Sequence, residues 1–417
     1  MLSVAHITSI AVLLAQLIPI SQAQNSSINS TVVLIPYEYT YLLPSDYIGN
    51  ANYSFVNSTQ VSSNSSINSL LRSASQSPFI SYSDEFSALL GSNNPQLQLV
   101  ASLPGVNFAY EAGVWVPQSN TVYFSSNTQV AESYLSKLSL SNSSLAVNIT
   151  SGITQPVGGY YFEGLIYFAT AQTPTYPGGI VSYDPQTGAV ETVVNSYFGL
   201  RFDGTDDVTV LRKGNKRFLY FTDLRLNHLI GQGIFSGRLP PEQLGNAVWR
   251  FDLDEKVLVP VISRTDVSLP NGIRVSPDYQ SLYVTDFGGF NPMYDAPWGA
   301  PAIYKYDILA DGSLVNRRLF GLVRLGAADG LHIDDAGRVW TAEYEGIVVR
   351  SPGGKVLGVF NSQVLLPSQE VTFDSRDGYP VANFALAGDT LVILASSKLW
   401  TVKLAETLVS PDSVIVN

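Results

Sequence analysis

Short apolar and aromatic runs alternate with polar turns along most of this chain. The runs Val114–Phe124, Tyr160–Ala169, Gly179–Asp184, Leu219–Asp223, Val248–Asp252, Ser281–Asp286, Ile303–Asp307, Arg338–Ala342, Ile347–Arg350 and Thr390–Leu399 have the composition of β-strands. Between them stand turn sequences such as Asp-Pro-Gln-Thr-Gly and Lys-Gly-Asn, where Gly or Asn tolerates positive φ and Pro fixes it. No long stretch carries a clean helical period, so the pattern predicts an antiparallel all-β core.

The pattern repeats. Asn271-Gly-Ile-Arg-Val through Leu-Tyr-Val-Thr-Asp286 has counterparts at Asp329-Gly-Leu-His-Ile through Val-Trp-Thr-Ala342, at Asp207-Val-Thr-Val through Leu-Tyr-Phe-Thr-Asp223, and at Glu111-Ala-Gly-Val-Trp through Val-Tyr-Phe-Ser-Ser126. Weaker copies begin at Gly159 and Asn383. The six starts are spaced 48, 48, 64, 58 and 54 residues apart. Six double hairpins of that size predict a six-bladed β-propeller; a β-sandwich would not produce six similar units. A strand over Gln96–Leu103 is expected to complete the last blade and close the ring.

Ahead of the repeats the texture differs. Residues 1–23 contain no charged side chain, and an apolar run from Ile10 to Ile20 precedes Ser21-Gln22-Ala23, which is the layout of a cleaved signal peptide. Residues 24–83 are rich in Ser, Asn and Thr and predict a loosely packed extension, with one docked strand near Thr31–Tyr37. Acceptors for N-linked glycans stand at Asn25, Asn29, Asn52, Asn57, Asn64, Asn142 and Asn148. The expected layout is a 1–23 signal peptide, a 24–83 glycosylated extension and an 84–417 propeller of a secreted, extracellular protein. The apolar run is too short to span a bilayer, so no membrane partner is expected.

Composition narrows the chemistry. The 417 residues include no cysteine, which excludes thiolate nucleophiles, disulfides and Cys-ligated metals. The three histidines, one of them in the expected leader, are too few for a three-His cage. A net charge of −11 without any basic cluster argues against nucleic acid. No Gly-x-Ser-x-Gly elbow and no phosphate-cradling Gly-Lys-Ser/Thr occurs.

Most repeats instead begin on a polar residue: Glu111, Asp206-Asp207, Asn271, Asp329 and Asn383. In a propeller these positions converge on the axis. Buried carboxylates meeting there repel one another unless a cation lies between them. An oxygen-only shell suits a hard ion, calcium above all. The competing reading is that Asp-Gly and Asn-Gly are turn chemistry.

Glu-Ala-x-Val-Trp at 111, Leu-Pro-Asn-Gly-Ile at 269–273, Tyr-Val-Thr-Asp at 283–286, Asp-Gly-Leu-His at 329–332 and Asn-Phe-Ala-Leu-Ala-Gly at 383–388 resemble the senescence-marker-protein/gluconolactonase superfamily, and within it the secreted fungal lactonohydrolases. The resemblance covers roughly residues 84–405. It implies a six-bladed propeller with an axial divalent cation, usually calcium, that hydrolyses a small-molecule lactone. It carries the metal-ligand role to Glu111, Asn271 and Asp329. Asp206 joins them as a further ligand, and Asp329 and Asp207 are the expected catalytic carboxylates. Where relatives read Asn-x-x-Asn-Asp, this chain reads Asp203-Gly-Thr-Asp206-Asp207. Glu343 stands where relatives carry small residues, and Tyr110 where fungal ones often place His. Asp203, Tyr110, His228, Glu343 and Asn383 are therefore the expected substrate-binding residues. His228 is placed in a connection, Arg225–Asn246, that roofs the channel, and Phe287–Pro301 is a second rim loop. Two alternatives stay open: another enzyme on the same frame (isomerase, cyclase or esterase), and a non-catalytic ligand-binding propeller with structural calcium. A monomer is expected.

Overall fold

In a computed structural model of the chain, residues 16–18, 27–29, 31–44, 47, 55, 63–91, 95–126, 133–149, 151–289, 301–367 and 380–411 are described. Six antiparallel sheets follow one another around an axis. Each is built in chain order from the axis outward. Blade 1 holds Glu111–Val116, Thr121–Ser125, Leu135–Ser139 and Leu145–Ile149. Blade 2 holds Pro156–Phe162, Leu165–Thr170, Gly179–Tyr183 and Val190–Val194. Blade 3 runs Thr205–Lys213, Lys216–Asp223, Ala247–Asp252, Leu258–Ser263, and blade 4 runs Pro270–Val275, Ser281–Asp286, Ala302–Ile308, Leu314–Leu322. Blade 5 has Ala328–Ile333, Val339–Glu343, Gly346–Arg350 and Val356–Asn361. Blade 6 has Asn383–Ala387, Thr390–Ala395 and Lys398–Lys403, and its fourth strand is Gln96–Ser102, from before blade 1. The expected six-bladed ring and its closing strand are both present.

The twisted blades pack face to face, and each of the six interfaces has its own apolar cluster. Phe162, Val208, Leu219 and Trp249 join blades 2 and 3. Leu211, Tyr220, Ile273 and Val284 join blades 3 and 4. Trp340, Ile347, Phe384 and Ile393 join blades 5 and 6. With no cysteine, the ring is held by this burial and by the hydrogen bonds of Gln96–Ser102 to Lys398–Lys403.

The described parts of the Ser/Asn-rich extension are docked rather than loose. Helix α1 (Ser65–Gln76) buries Ile67, Leu71 and Ala74, spaced four and three residues apart on one stripe. The Asn64 side chain caps its start by accepting from the Ser66 and Ile67 amides at 3.1 and 3.2 Å. Phe79–Ser81 adds antiparallel to Val356–Asn361 of blade 5, and Val33–Leu34 then adds parallel to it. Helix α2 (Asp84–Leu90), capped by Ser83, buries Phe86, Leu89 and Leu90 in the blade 5–6 core. Ser-rich helical stretches hide their period because serine is polar but small enough to pack. A strand at Ser27–Asn29 pairs with Gln96–Ser102, and one at Gln16–Ile18 pairs with Leu145–Ile149. The latter lies inside the expected leader, so a chain cut after Ala23 would leave the outer edge of blade 1 to Leu145–Ile149.

Among the acceptor asparagines, Asn64 and Asn142 are exposed and Asn148 is half-buried. Asn25, Asn52, Asn57 and the Asn29 side chain lie outside the described residues, as does 290–300 of the expected rim loop.

Candidate metal and substrate site

Five of the six innermost strands begin on Glu111, Thr205, Pro270, Ala328 and Asn383, at one end of the axis. Four of these strands are bulged within their first residues: the register shifts between Glu111 and Val114, Thr205 and Val208, Pro270 and Ile273, and Ala328 and Leu331. A bulge re-aims a side chain that strict alternation would send into a blade face. Glu111, Asp206, Asp207, Asn271, Asp329 and Asn383 all stand at these starts, and all are at least nine-tenths buried.

The Asn-Gly and Asp-Gly pairs are not turns. Gly272 and Gly330 lie inside strands, and each makes room for the next blade. A Cβ on Gly272 would stand 2.3 Å from the Asp329 carbonyl oxygen, and one on Gly330 would stand 2.6 Å from the Asn383 side chain. Any larger residue would push apart the strands that carry the site.

The buried acids feel one another's charge. Burial, and after it the charges of Asp329 and Asp206, push the Glu111 carboxyl well above its ordinary range. Burial and then the charge of Asp206 do the same to Asp329, against a hydrogen bond to Asn271. Burial pushes Asp206 up to about 7, with Asp207 adding to it and a hydrogen bond from Asn227 opposing it. Asn383 donates to Glu111 at 3.3 Å and accepts from the Phe384 amide at 2.9 Å, with His332 Nε2 3.3 Å from the same oxygen. Asn383 therefore orients Glu111. Burial, and secondarily Arg274, push His332 well below its ordinary value, so it is neutral at pH 7.

Asp207 sits differently. Its oxygens accept from the Val208 amide at 2.8 Å and the Ile273 amide at 3.0 Å, and Arg274 approaches one of them at 3.5 Å. Arg274 is buried against the Tyr160 ring and donates to the Leu331 carbonyl at 2.9 Å. It lies three residues, about 10 Å of strand, beyond Asn271. Below it a separate cavity of about 120 Å³ opens at the far end of the channel, lined by Trp115, Tyr161, Tyr279 and His332. Arg274 carried a signal in the sequence, as a lone cation in an apolar inner strand, but the repeat pattern drew attention only to the first position of each copy.

Around the mouth on the acidic side runs an apolar collar. Tyr110, Leu224, Leu269, Phe287, Ala327 and Ala382 cluster there, with Tyr344 against them. Tyr110, the residue before Glu111, is a buried member of this cluster. Asp203, His228 and Glu343 do not join the ring. Both oxygens of Asp203 are taken by the Gln243 and Gly245 amides, at 2.9 and 2.6 Å, where it ties down a loop. His228 Nδ1 meets Gln172 at 2.8 Å on the flank of helix α3 (Arg225–Ile234). Glu343 is fully buried between strands, paired with Arg350 and Thr341. Each has a neighbouring side-chain or backbone partner within the protein. What the sequence did not reveal is Asn227, on α3, whose amide donates to Asp206 at 2.8 Å.

An all-oxygen ring of Glu111, Asp206, Asn271 and Asp329 has the donor chemistry of a site for a hard divalent cation, and their mutual repulsion is what such an ion relieves. Among the described residues no three carboxylate or imidazole side chains close into a ready-made cage, so the fit rests on that donor set and its charge. A fourth helix, α4 (Ser362–Leu365), lies away at the edge of blade 5, and among the described residues no helix is long and apolar enough to cross a membrane.

A family model described as the SMP-30/Gluconolactonase/LRE-like region matches residues 111–373, well over half of the chain. The lactonohydrolase oryL of Aspergillus oryzae is 28% identical over 294 residues, covering 65% of this chain and 64% of its own length, just under two thirds of that relative. A gluconolactonase of Xanthomonas campestris superposes with a TM-score of 0.58 at 21% identity, over 78% of this chain and 95% of its own. The calcium-binding protein regucalcin of Agrobacterium tumefaciens superposes at 0.51 with 14% identity, over 75% and 94%.

Proposed function

The chain belongs to the SMP-30/gluconolactonase/LRE-like family, and from that premise we propose that it is a secreted, calcium-dependent lactonohydrolase that opens the ester ring of a small lactone. The observation that carries the proposal is the convergence of Glu111, Asp206, Asn271 and Asp329 on one end of the channel, inside an apolar collar. The names of the similar lactonohydrolase and gluconolactonase support the reaction class.

Glu111, Asn271, Asp329 and Asp206 would hold the calcium ion. When bound, the ion supplies polarisation of the lactone carbonyl and stabilises the negative charge that develops on its oxygen. Asn383 keeps the Glu111 carboxylate turned to the axis. Asp329 takes the proton from the attacking water as general base. Asp207 is the weaker candidate for that task, because two backbone amides and Arg274 already use its oxygens. Tyr110, Leu224, Leu269 and Phe287 exclude water around the ring of the substrate and favour a neutral lactone with an apolar edge. An uncompensated anionic substrate would meet repulsion from the same carboxylates.

Export would follow from a signal peptide over residues 1–23, with glycans at Asn64 and Asn142 on exposed backbone. The reading is tested by pH-stat acid release on a panel of aldono-, pantoyl and aromatic lactones. Release that vanishes with EGTA and returns with calcium is the expected result. Release that survives complete chelation, or full activity of Asp329→Asn, overturns the mechanism. A protein that binds calcium tightly and opens none of the lactones points to a ligand-binding propeller instead.

A further inference from the structure

Asp206 and Asp207 are adjacent, buried and differently held. Asp207 is tied to backbone amides on two strands. The Asp206 carboxylate has a single hydrogen-bond partner among the described residues, the Nδ2 of Asn227 at 2.8 Å. That partner comes from outside the propeller, on helix α3 in the connection between the second and third strands of blade 3.

The connection is built to hold Asn227 in place. Asn246 Oδ1 accepts from the Arg225 amide at 2.6 Å in the first turn of the helix, while its Nδ2 donates to the Ser268 carbonyl at 2.8 Å. Gln172 of blade 2 donates to the Asp203 carbonyl at 2.7 Å and meets His228 Nδ1 at 2.8 Å, so the residue beside Asn227 is fastened to a second blade. The Asp203 carboxylate closes the loop behind the helix through the Gln243 and Gly245 amides. Gly204 completes the fit: a Cβ there would stand 2.6 Å from the Asn227 Cβ and 2.7 Å from the Leu224 carbonyl oxygen. Four residues from three separate segments, Asn246, Gln172 and the pair Asp203-Gly204, thus hold the helix that carries Asn227, and its carboxamide reaches Asp206.

We propose that Asn227 is a positioning residue of the axial site: its carboxamide, delivered by the roof helix, binds Oδ1 of Asp206 and thereby turns the rest of that carboxylate toward the ring formed with Glu111, Asn271 and Asp329. Asp206 becomes a site ligand only with the helix seated, which couples the roof to cation affinity. This rests on the calcium-site reading above. A purely structural contact would fasten the helix and leave cation affinity alone.

The test uses the full chain with Asn227→Leu, which keeps the side-chain bulk and removes the donor. Isothermal titration with calcium is expected to show affinity weakened roughly 10- to 100-fold, as for loss of a group that orients a ligand. Lactone hydrolysis should then need correspondingly more calcium for half-maximal rate, while kcat at saturating calcium stays within about threefold of the parent. Unchanged calcium affinity overturns the proposal. A second measurement stands apart from calcium: a double-mutant cycle of Asn227→Leu and Asp206→Ala on urea unfolding in EGTA. The two changes are expected to be non-additive by roughly tenfold in the unfolding constant. Additivity within twofold overturns the contact itself. If the parent binds no calcium, the calcium-site reading fails, and the cycle still decides whether Asn227 orients Asp206.

Discussion

The carbonyl oxygen of Asp329 lies 2.3 Å from the point where a Cβ on Gly272 would sit. Adjacent inner strands therefore approach as closely as backbone allows, and the ligand residues of neighbouring blades are brought together by what Gly272 lacks. Gly272→Ala forces Asn271 and Asp329 apart. The expected cost is about 1–3 kcal/mol of stability, with calcium affinity reduced at least tenfold. Thermal unfolding and calcium titration check it, and a variant that matches the parent in both would show that the strands give way freely.

Calcium and protons compete for the same ring. Glu111 and Asp329 are held well above the ordinary carboxylate range, and Asp206 up to about 7, chiefly by burial. Acids raised on folding favour the folded state at low pH and lose that contribution as pH rises through their folded values. Chelated protein should thus lose stability as pH rises from about 4 through about 7 on account of Asp206, with Glu111 and Asp329 adding to the loss as they ionise. The gain in Tm on adding calcium is expected to be small at pH 5 and larger at pH 8. A gain independent of pH would mean that the acids are not the ligands.

Asp223 gives a separate pH signal. Burial and then the charge of Asp203 push its carboxyl up to about 8, although it accepts from the Gly204 amide at 2.6 Å. Its proton is bound in the folded state and released from the unfolded chain above about pH 4, so stability falls as pH climbs toward 8. Asp223→Asn removes that slope and should be more stable than the parent at pH 8. Parallel pH–Tm curves for the two proteins would contradict the assignment.

Glu343 and Arg350 form a fully buried pair. Removing one partner strands the other's charge, so Arg350→Met should cost about 3–5 kcal/mol, and pairing it with Glu343→Leu should recover most of the loss. Urea denaturation decides this. Because Glu343 lies between strands and not in the collar, the double variant should keep the parent's KM for lactones. A changed KM would return Glu343 to the substrate site.

The blades and the ring-closing strand were legible because alternation and turn chemistry are local, and six imperfect copies average out their noise. The polar first position of most copies was legible for the same reason. Other features were misleading or silent. Asp203 and Glu343 were expected at the site because they depart from the family pattern, and His228 because its connection was expected to roof the channel, yet each has a structural partner: the 243–245 amides, Arg350 and Gln172. Ser65–Gln76 hid a helix behind a polar composition.

By itself, the sequence determined the strand pattern, the sixfold repeat, the absence of thiol chemistry and the family's run of acids and amides, because each depends on residues near one another along the chain. Tertiary structure alone decided which of those acids meet, that Asn227 rather than His228 reaches Asp206, and that Arg274 stands beneath Asp207. Those contacts join residues that are 21 to 67 positions apart, or lie on different blades. Their distances are set by how closely strands pack around the axis, and no local pattern records that.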